Sequence, residues 1–307
     1  MYPVEVNLSS AELNQDFGAL LDRVELLRDR TNLSELSGGL TNRNLKVETP
    51  HGNYVARISS NESDLLAIDR KSEYENSKLA ADASIGARVY EYLPNDGLLV
   101  IAFLPGRTYT ARDVAANLSR VAESCRTLHN AKPFVRDFDM FKVQSGYLKI
   151  VEERGFRVPD KYHEFAEYKD LLLRAFTSTD TGKVPCNNDL LPANFIDDGT
   201  KIWLIDYEYS GNNDPCFELG NIWSEAGMSI QQLQELVSAY YGVDRPDKFA
   251  RAWLFSVLAK YGWTLWASIQ DGISELDFDF WAWGMAKYDD VQRDFTSDFF
   301  KEQIALL

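Results

Sequence analysis

The order of the predicted elements is the strongest constraint on this chain, because the pattern changes once, at Leu104-Pro105-Gly106. Before that point, short alternating segments separated by turns are typical of antiparallel strands, with one amphipathic helix ahead of them. After it, helical segments dominate and surround one strand-and-loop block. The sequence therefore predicts an α+β protein with two lobes, a small β-rich lobe over residues 1–104 and a larger helical lobe over 105–307.

Turn and cap residues set the predicted bounds. Ser9 or Ser10 is predicted to cap the first helix, which runs to about residue 30. The predicted strands cover 33–36, 42–48, 53–58, 88–92 and 98–103, with a charged helix over 69–83. In the second lobe the predicted helices cover 111–130, 142–153, 161–176 and most of the chain from 214 onward, and the strand-and-loop block covers 183–206.

Charge and composition exclude several classes of protein. The chain has 32 Lys and Arg against 47 Asp and Glu, a net charge of −15. Binding to nucleic acid or to an anionic membrane requires a basic face, so neither is predicted. A cationic substrate is compatible with this charge, and so is an ordinary solvated surface. Sparse cysteines, no signal-like start and no apolar run of about 20 residues predict a cytoplasmic protein without membrane insertion.

The main chemical motif is an Asp, an Asn five residues later and a second Asp after a hydrophobic segment, namely Asp189, Asn194 and Asp206. Phosphoryl transfer uses such a set, because the first Asp accepts or orients the proton of the attacking hydroxyl. The Asn and the second Asp hold Mg²⁺ against the phosphates of ATP. Asp and Asn at this spacing also close turns. The strand-like segment before Asp206 and the lobe order favour a kinase.

The block that contains this motif resembles the catalytic core of the choline/ethanolamine kinase family of bacterial type, within the aminoglycoside-phosphotransferase-like and protein-kinase-like kinases. The resemblance rests on Ile205-Asp206-Tyr207-Glu208-Tyr209-Ser210, followed by Glu218-Leu219-Gly220-Asn221 and Glu225. It extends over about residues 37–283. It implies a two-lobed protein-kinase-like fold, ATP and Mg²⁺ as cofactors, and choline or ethanolamine as the acceptor, phosphorylated on its hydroxyl.

One position departs from the family pattern. The family usually has His two residues before the catalytic Asp, and this chain has Asn187 there. In kinase-like sites that His supports the loop by packing and hydrogen bonding, and Asn can also donate and accept hydrogen bonds. The substitution is therefore expected to leave a scaffold role in place, while it keeps a catalytically weak pseudokinase open as an alternative.

The resemblance also implies nucleotide-binding residues in the first lobe. Arg57 stands where protein kinases carry the phosphate-contacting Lys, and its expected partner is Glu73, with Glu75 as a less favoured choice. An exposed strand charge is the plain alternative for Arg57. The expected phosphate-covering loop, whose two glycines are also typical of an ordinary hairpin turn, and the expected adenine-contacting hinge consist of Ser37, Gly38, Gly39, Thr41, Asn42, Phe103 and Leu104.

An aromatic set is predicted to bind the acceptor. A quaternary ammonium has no N–H to donate and is held best against several ring faces. Trp-rich helices more often form an ordinary core, so the cationic site depends on the kinase motif beside it. With Asp189 as the base, the predicted acceptor residues are Glu208, Tyr209, Glu225, Trp263, Trp266 and Trp283. A kinase for an aminoglycoside or a sugar is the alternative, and its site is expected to carry more carboxylates and fewer rings.

Overall fold

The alternating segments of the N-terminal third form one antiparallel sheet. The structure is a computed structural model of the chain, and it describes residues 8–36, 41–59, 63–179 and 181–307. The sheet has the strand order β1-β2-β3-β5-β4. Its strands are β1 (Asn32–Leu36), β2 (Asn42–Thr49), β3 (Gly52–Ser59), β4 (Val89–Leu93) and β5 (Leu98–Ala102). The predicted strands are confirmed in this part of the chain.

Two helices accompany this sheet. Helix α1 (Ser10–Leu21) begins at Ser9, whose side chain caps it in a capping box with Glu12. It ends earlier than predicted, because the chain leaves the helix after Asp22 and makes only a short 3₁₀ turn over Glu25–Leu27. The apolar face of α1 and this turn pack on the sheet as one buried cluster. Helix α2 (Arg70–Asp82) lies between β3 and β4 and carries Glu73.

Helices form most of the remaining chain. The predicted helix over 111–130 is two helices, because the chain breaks at Asn117, whose side chain donates to the carbonyl of Asp113 at 2.8 Å. The prediction of one continuous helix there was wrong. The helices are α3 (Ala111–Ala116), α4 (Leu118–His129), α5 (Met140–Arg154), α6 (Ala166–Ser178), α7 (Pro215–Glu225), α8 (Ile230–Tyr241), α9 (Pro246–Ile273), α10 (Phe280–Thr296) and α11 (Asp298–Ala305).

Helix α9 lies at the centre of this helical part. It spans 28 residues, and side chains on all of its faces are buried. Helix α7 approaches it so closely that a Cβ on Gly220 would lie 2.0 Å from the carbonyl oxygen of Ala252. Only glycine fits at this crossing, which explains the Gly in the Glu-Leu-Gly-Asn motif. None of the helices in the described residues combines the length and apolarity needed to cross a membrane.

Two small sheets hold the loop block between α6 and α7. In the first sheet, β7 (Val184–Cys186) pairs antiparallel with β10 (Gly211–Asn213). In the second sheet, β8 (Phe195–Asp197) pairs with β9 (Ile202–Leu204) and with the two-residue strand β6 (Arg107–Thr108). The loop after β7 and the segment after β9 therefore leave adjacent sheets and carry the predicted catalytic residues. The α+β class and the β-rich to helical order are confirmed.

Tyr207 carries a buried hydroxyl without a partner in the described part of the chain. Its ring packs edge-on against Phe134, and its exposed fraction is 4%. Removing an unpaired buried hydroxyl costs no hydrogen bond. We expect Tyr207→Phe to keep the free energy of unfolding or raise it by up to about 1 kcal/mol, as measured by chemical denaturation. A decrease of that size would instead mean that the hydroxyl has a partner.

Candidate active site

The loop after β7 places Asp189 beside Asn194. The amide of Asn194 donates to the backbone carbonyl of Asp189 at 2.7 Å, so the five-residue spacing closes a ring that holds the Asn194 side chain against the backbone of Asp189. The Asp189 side chain is half-buried. The five-residue spacing of Asp189 and Asn194 thus has a structural reason as well as the predicted chemical one.

Buried amides hold this loop in place. Asn188 has a left-handed backbone, with φ of 67°, which Asn tolerates better than most residues. Its side-chain amide donates to the carbonyls of Cys186, Tyr209 and Gly211 at 3.1 to 3.3 Å. The loop is therefore attached to β10 and to the segment after β9 by a fully buried side chain.

Glu218 on α7 supports the same loop from below. Its carboxylate accepts the backbone N–H groups of Asn187 at 3.2 Å and Asn188 at 2.7 Å. His129 Nε2 lies 3.5 Å from the same carboxylate, and its Nδ1 is 2.7 Å from the hydroxyl of Tyr240. All of these polar groups are paired, as buried polar groups must be if the loop is to keep one conformation.

Asn187 joins the loop to the segment that follows β9. Its side-chain nitrogen donates to the carbonyls of Ile205 at 3.0 Å and Asp206 at 2.8 Å, and its oxygen accepts the backbone N–H of Asp189 at 3.1 Å. Asp206 also has a left-handed backbone, with φ of 64°. A small amide therefore fixes an otherwise unfavourable conformation at Asp206, and it does so with both of its polar atoms.

A buried ion-pair network connects Asp206 to the N-terminal sheet. Arg57 on β3 lies 3.1 Å from Glu73, 2.6 Å from Asp206 and 2.8 Å from Glu208. Arg70 lies 2.7 Å from Glu73 and 3.2 Å from Glu208. The predicted Arg57–Glu73 contact is present, and two further carboxylates share the same guanidinium. We call these five residues the ion-pair network.

The network carries one more negative than positive charge, because two guanidinium groups face three carboxylates. Burial and the neighbouring carboxylates raise the pKa of Asp206 to about 6, although Arg57 opposes the shift. Burial disfavours the charged form of Glu208 too, but Arg57, Arg70 and donors such as Asn42 outweigh it and hold its pKa below its ordinary value. The network thus favours the charged form of Glu208 and disfavours the charged form of Asp206.

Asp189 experiences the same excess of negative charge. Burial, followed by the carboxylates of Asp206, Glu208 and Glu225, raises the pKa of Asp189 well above its usual range, and Lys287 opposes the shift. A carboxylate whose pKa is raised is better suited to accept a proton from an alcohol. Asp189 thus has the raised proton affinity that the predicted role of general base requires.

A divalent cation fits the oxygen donors at this point. Asp206 Oδ1 is buried and accepts no well-aligned hydrogen bond, even though Arg57 is close to it. Asn194 lies in the adjoining turn, where its backbone carbonyl accepts the N–H of Ile205 at 3.1 Å, and its amide oxygen is the second predicted ligand. Mg²⁺ binds one or two carboxylates and keeps several waters, so a sparse set of oxygen ligands in a negatively charged site matches its chemistry.

The two residues predicted to contact adenine, Phe103 and Leu104, differ in the hydrogen bonding of their backbone N–H groups. A cleft beside the network is lined by apolar residues that include Ala87, Leu99 and Ile101. The backbone N–H of Phe103 is already donated to Asn53 at 3.1 Å. Of the two predicted hinge residues, Leu104 has a backbone N–H that makes no backbone hydrogen bond to the described residues, whereas that of Phe103 is used within the lobe.

The predicted phosphate-covering loop is described only in part. Ser37, Gly38 and Gly39 lie outside the described residues. Thr41 donates to Glu208 at 2.9 Å, and the amide of Asn42 donates to Glu208 at 2.9 Å. These two side chains thus contact the ion-pair network, and the carboxylate of Glu208, predicted to face the acceptor, is bound to the N-terminal lobe instead.

The predicted aromatic residues form a connected cluster. Tyr209 lies edge-on to Trp263, with ring centroids 5.2 Å apart, and its hydroxyl accepts the indole N–H of Trp266 at 3.0 Å. Trp266 in turn lies 5.5 Å from Trp283. We call these four residues the aromatic cluster. Tyr209, Trp263 and Trp266 are buried and Trp283 is half-buried, so the cluster opens at Trp283.

Glu225 lies at the open side of the aromatic cluster and pairs with Lys287, a residue that the sequence analysis did not predict for this site. Its carboxylate lies 2.6 Å from Lys287 Nζ, which also stands over the ring of Trp283 at 4.2 Å from the centroid. Lys287 thus links Glu225 to the aromatic cluster, and the bond from the Asn188 amide to the carbonyl of Tyr209 links that cluster to the loop that carries Asp189.

Comparison with known proteins identifies the family. A family model for choline/ethanolamine kinase matches residues 33–245, more than half of the chain. The chain belongs to the choline/ethanolamine kinase family. The family that the sequence resembles is thus confirmed.

Relatives and solved structures agree with this family. The chain is 28% identical over 225 residues to the protein LicA of Haemophilus influenzae, a match that spans 66% of this chain and 61% of LicA. It is 24% identical over 297 residues to a probable ethanolamine kinase of Arabidopsis thaliana, covering 85% of this chain and 79% of that protein. It resembles a choline/ethanolamine kinase family protein from Mesorhizobium loti, with a TM-score of 0.84, 26% identity, and coverage of 96% and 98% of the two chains.

More distant structures share the fold alone. The choline kinase LicA from Streptococcus pneumoniae has a TM-score of 0.76 at 22% identity and covers 97% of this chain and 99% of its own. A LicA solved in complex with AMP has a TM-score of 0.70 at 21% identity, with coverage of 96% and 98%. Aminoglycoside phosphotransferases are similar at still lower identity. The two-lobed kinase-like fold is confirmed.

Sequence reasoning missed three contacts of this choline/ethanolamine kinase family member. Arg70 lies three residues before Glu73, and Lys287 lies four residues after Trp283, so each pair shares a helix face. Both contacts could have been found from that spacing. Glu218, which holds the catalytic loop, carries no such signal, because its partners are backbone groups far away in the chain.

Asp206 generates a pH prediction for the protein without nucleotide or metal. Its pKa is raised from 3.8 to about 6, so the folded protein binds more protons than the unfolded chain between those values. Its free energy of unfolding therefore falls as pH rises through that window. We expect Asp206→Asn to be more stable than the unchanged protein at pH 7, by about 3 kcal/mol, with no difference below pH of about 4.

Chemical denaturation between pH 4 and 8 measures this difference, and Asp197→Asn is the matched control. Arg120 holds the pKa of Asp197 far below its ordinary value, so the ionised form stabilises the fold and its removal is expected to destabilise the protein at pH 7. Equal destabilisation by both variants at pH 7 would contradict the assignment of unfavourable charge to Asp206.

Asn187 generates a second prediction. Alanine removes two donated bonds and one accepted bond from the ends of the catalytic loop and of β9, so Asp206 loses its fixed position. We expect Asn187→Ala to lower turnover by about tenfold or more, the effect of roughly one to two net hydrogen bonds, whereas Asn187→His keeps or raises turnover. Steady-state ADP release measures both, with the exposed Asn130→Ala as control. A folded but inactive Asn187→His protein would show that Asn is required itself.

Proposed function

We propose that this protein transfers the γ-phosphoryl group of ATP to the hydroxyl of choline, with ethanolamine as the competing acceptor, and that it acts in the cytoplasm. The observation that carries the proposal is the aromatic cluster on one side of Asp189, closed by the carboxylate of Glu225. Ring faces and a nearby carboxylate bind a trimethylammonium group, which offers no N–H to an acceptor. Membership of the choline/ethanolamine kinase family supports either acceptor and does not separate choline from ethanolamine.

In the proposed reaction, Asp189 accepts the proton of the acceptor hydroxyl as its oxygen bonds to the γ-phosphorus. The bond between that phosphorus and the oxygen of ADP breaks, and the products are phosphocholine and ADP. The excess of carboxylates around Asp189 raises its proton affinity, which favours this role. Residues 1–104 are assigned to the lobe that covers the nucleotide, and residues 105–307 to the lobe that carries the base and the acceptor.

Asp206 and Asn194 are the proposed ligands of Mg²⁺. An ion bound there would neutralise the negative charge that develops on the phosphates. Arg57 is proposed to bind the phosphates through its guanidinium fork, and its three carboxylate partners orient it for that contact. Glu208 is proposed to orient Arg57 and Arg70, because its carboxylate is bound to them and not to the rings.

A screen of acceptors tests the proposal. ADP release is measured with choline, ethanolamine and an aminoglycoside, each at a range of concentrations. We expect choline to give the highest kcat/KM. A preference for ethanolamine would contradict the acceptor assignment, and activity with the aminoglycoside alone would place the chain with the related kinases. Absence of acceptor-dependent ADP release, with ATP still bound, would favour a catalytically weak binding protein.

A substitution of the base tests the mechanism in the same assay. We expect Asp189→Asn to lower turnover at least ~100-fold, the usual effect of losing a general base, while ATP binding measured by calorimetry persists. Asp298→Asn, at a fully exposed position on α11, is the control for the change of charge. Turnover near that of the unchanged protein in Asp189→Asn would remove Asp189 from the mechanism.

A further inference from the structure

Lys287 already occupies the position of a cation in the proposed acceptor site. Its ammonium stands over the ring of Trp283 at 4.2 Å from the centroid and lies 2.6 Å from the carboxylate of Glu225. The side chains of Lys287 and Glu225 are only 12% and 9% exposed. A ring face and a carboxylate in a partly desolvated site are the contacts that a substrate ammonium needs.

The charge of Lys287 also matches that of a substrate ammonium. Glu225 and Lys287 neutralise each other, so the carboxylate closest to the aromatic cluster offers no net attraction to an incoming cation. Lys287 also acts on Asp189, where it opposes the rise in pKa caused by the carboxylates. The ammonium of Lys287 therefore lies over Trp283, beside Glu225, and close enough to Asp189 to act on its charge.

We propose that Lys287 is a specificity-determining residue, a tethered competitor that a cationic acceptor must displace from Trp283 and Glu225. This inference rests on the proposed function and deepens it. Displacement raises the affinity that an acceptor must reach through its other contacts. A small cation that lacks those contacts is thereby excluded, whereas an amino alcohol that also places its hydroxyl at Asp189 is admitted.

A structural role for the ion pair predicts different behaviour. If Lys287 served only to join α10 to α7, its removal would lower stability and would leave the binding of a cation unchanged or weaker. If it competes, its removal frees Glu225 and Trp283, and the binding of a cation becomes stronger. The two roles are thus separated by the sign of the change in affinity.

The test measures cation binding without ATP, by the change in tryptophan fluorescence on titration with tetramethylammonium and with choline. We expect Lys287→Met to lower the Kd for both cations by about tenfold, on the order of one cation–π contact in a desolvated site. Lys287→Arg keeps the charge and is expected to keep the Kd within about twofold. Lys301→Met, at an exposed position on α11, is the matched control. An equal or higher Kd in folded Lys287→Met would overturn the proposal.

A second measurement uses the unchanged protein and does not depend on the folding of any variant. Acetylation of Lys287 by an amine-reactive reagent is followed by mass spectrometry with and without choline. A displaced ammonium is more exposed, so saturating choline is expected to raise the rate of acetylation at Lys287 severalfold. A lower or unchanged rate at choline saturation would mean that the cation and Lys287 do not exchange places.

These outcomes are distinct from failure of the proposed function. If neither choline nor ethanolamine supports ADP release, the proposed function fails, and the tetramethylammonium titration still decides the role of Lys287. If choline is phosphorylated but Lys287→Met does not tighten cation binding, the competitor role fails and the proposed function stands. If the unchanged protein and Lys287→Met both fail to bind tetramethylammonium, the competitor role is overturned as well.

Discussion

Everything in this site depends on one buried cation, the guanidinium of Arg57. It comes from the N-terminal sheet and contacts a carboxylate on α2 and two carboxylates after β9, so it joins three separate parts of the chain. Moving such a charge out of water costs several kcal/mol, and only close partners offset that cost. The ion pairs of Arg57 therefore join the sheet to the segment that carries Asp206, and loss of one partner would leave a buried charge without compensation.

The loop that carries Asp189 depends on polar side chains of a different kind. Asn187, Asn188 and Glu218 all bind backbone groups of this loop or of the segments beside it, so they specify its conformation through hydrogen bonds. Asn188 and Asp206 both have positive φ. The side chain of Asn188 makes one of these contacts, and the carbonyl of Asp206 accepts another from Asn187. Two of the five non-glycine residues with positive φ in the described chain therefore lie at this site, where they set the direction of the loop and of Asp206.

Patterns local in the chain could be predicted from the sequence, and contacts across the chain could not. Strand alternation and cap residues gave the sheet and most helices, since these depend on neighbours along the backbone. The motif with Asp189, Asn194 and Asp206 was recognisable because phosphoryl transfer restricts the side chains that can serve it. The partner of Glu208 was missed, because α2 and β3 are more than a hundred residues away and only folding brings them together. The break at Asn117 shows that one polar residue can end a helix that periodicity alone continues.

The burial of α9 has a consequence for how the chain reaches this fold. Helix α9 is buried on all faces, mostly through apolar side chains, and α10 covers it so closely that a Cβ on Gly284 would lie 2.5 Å from the Cβ of Ala267. During synthesis, α9 leaves the ribosome before α10 and has no cover on that side. An uncovered helix with so many apolar side chains associates readily with other chains. The helical part therefore completes its fold late in translation, and a product truncated before residue 280 is expected to aggregate or to bind chaperones.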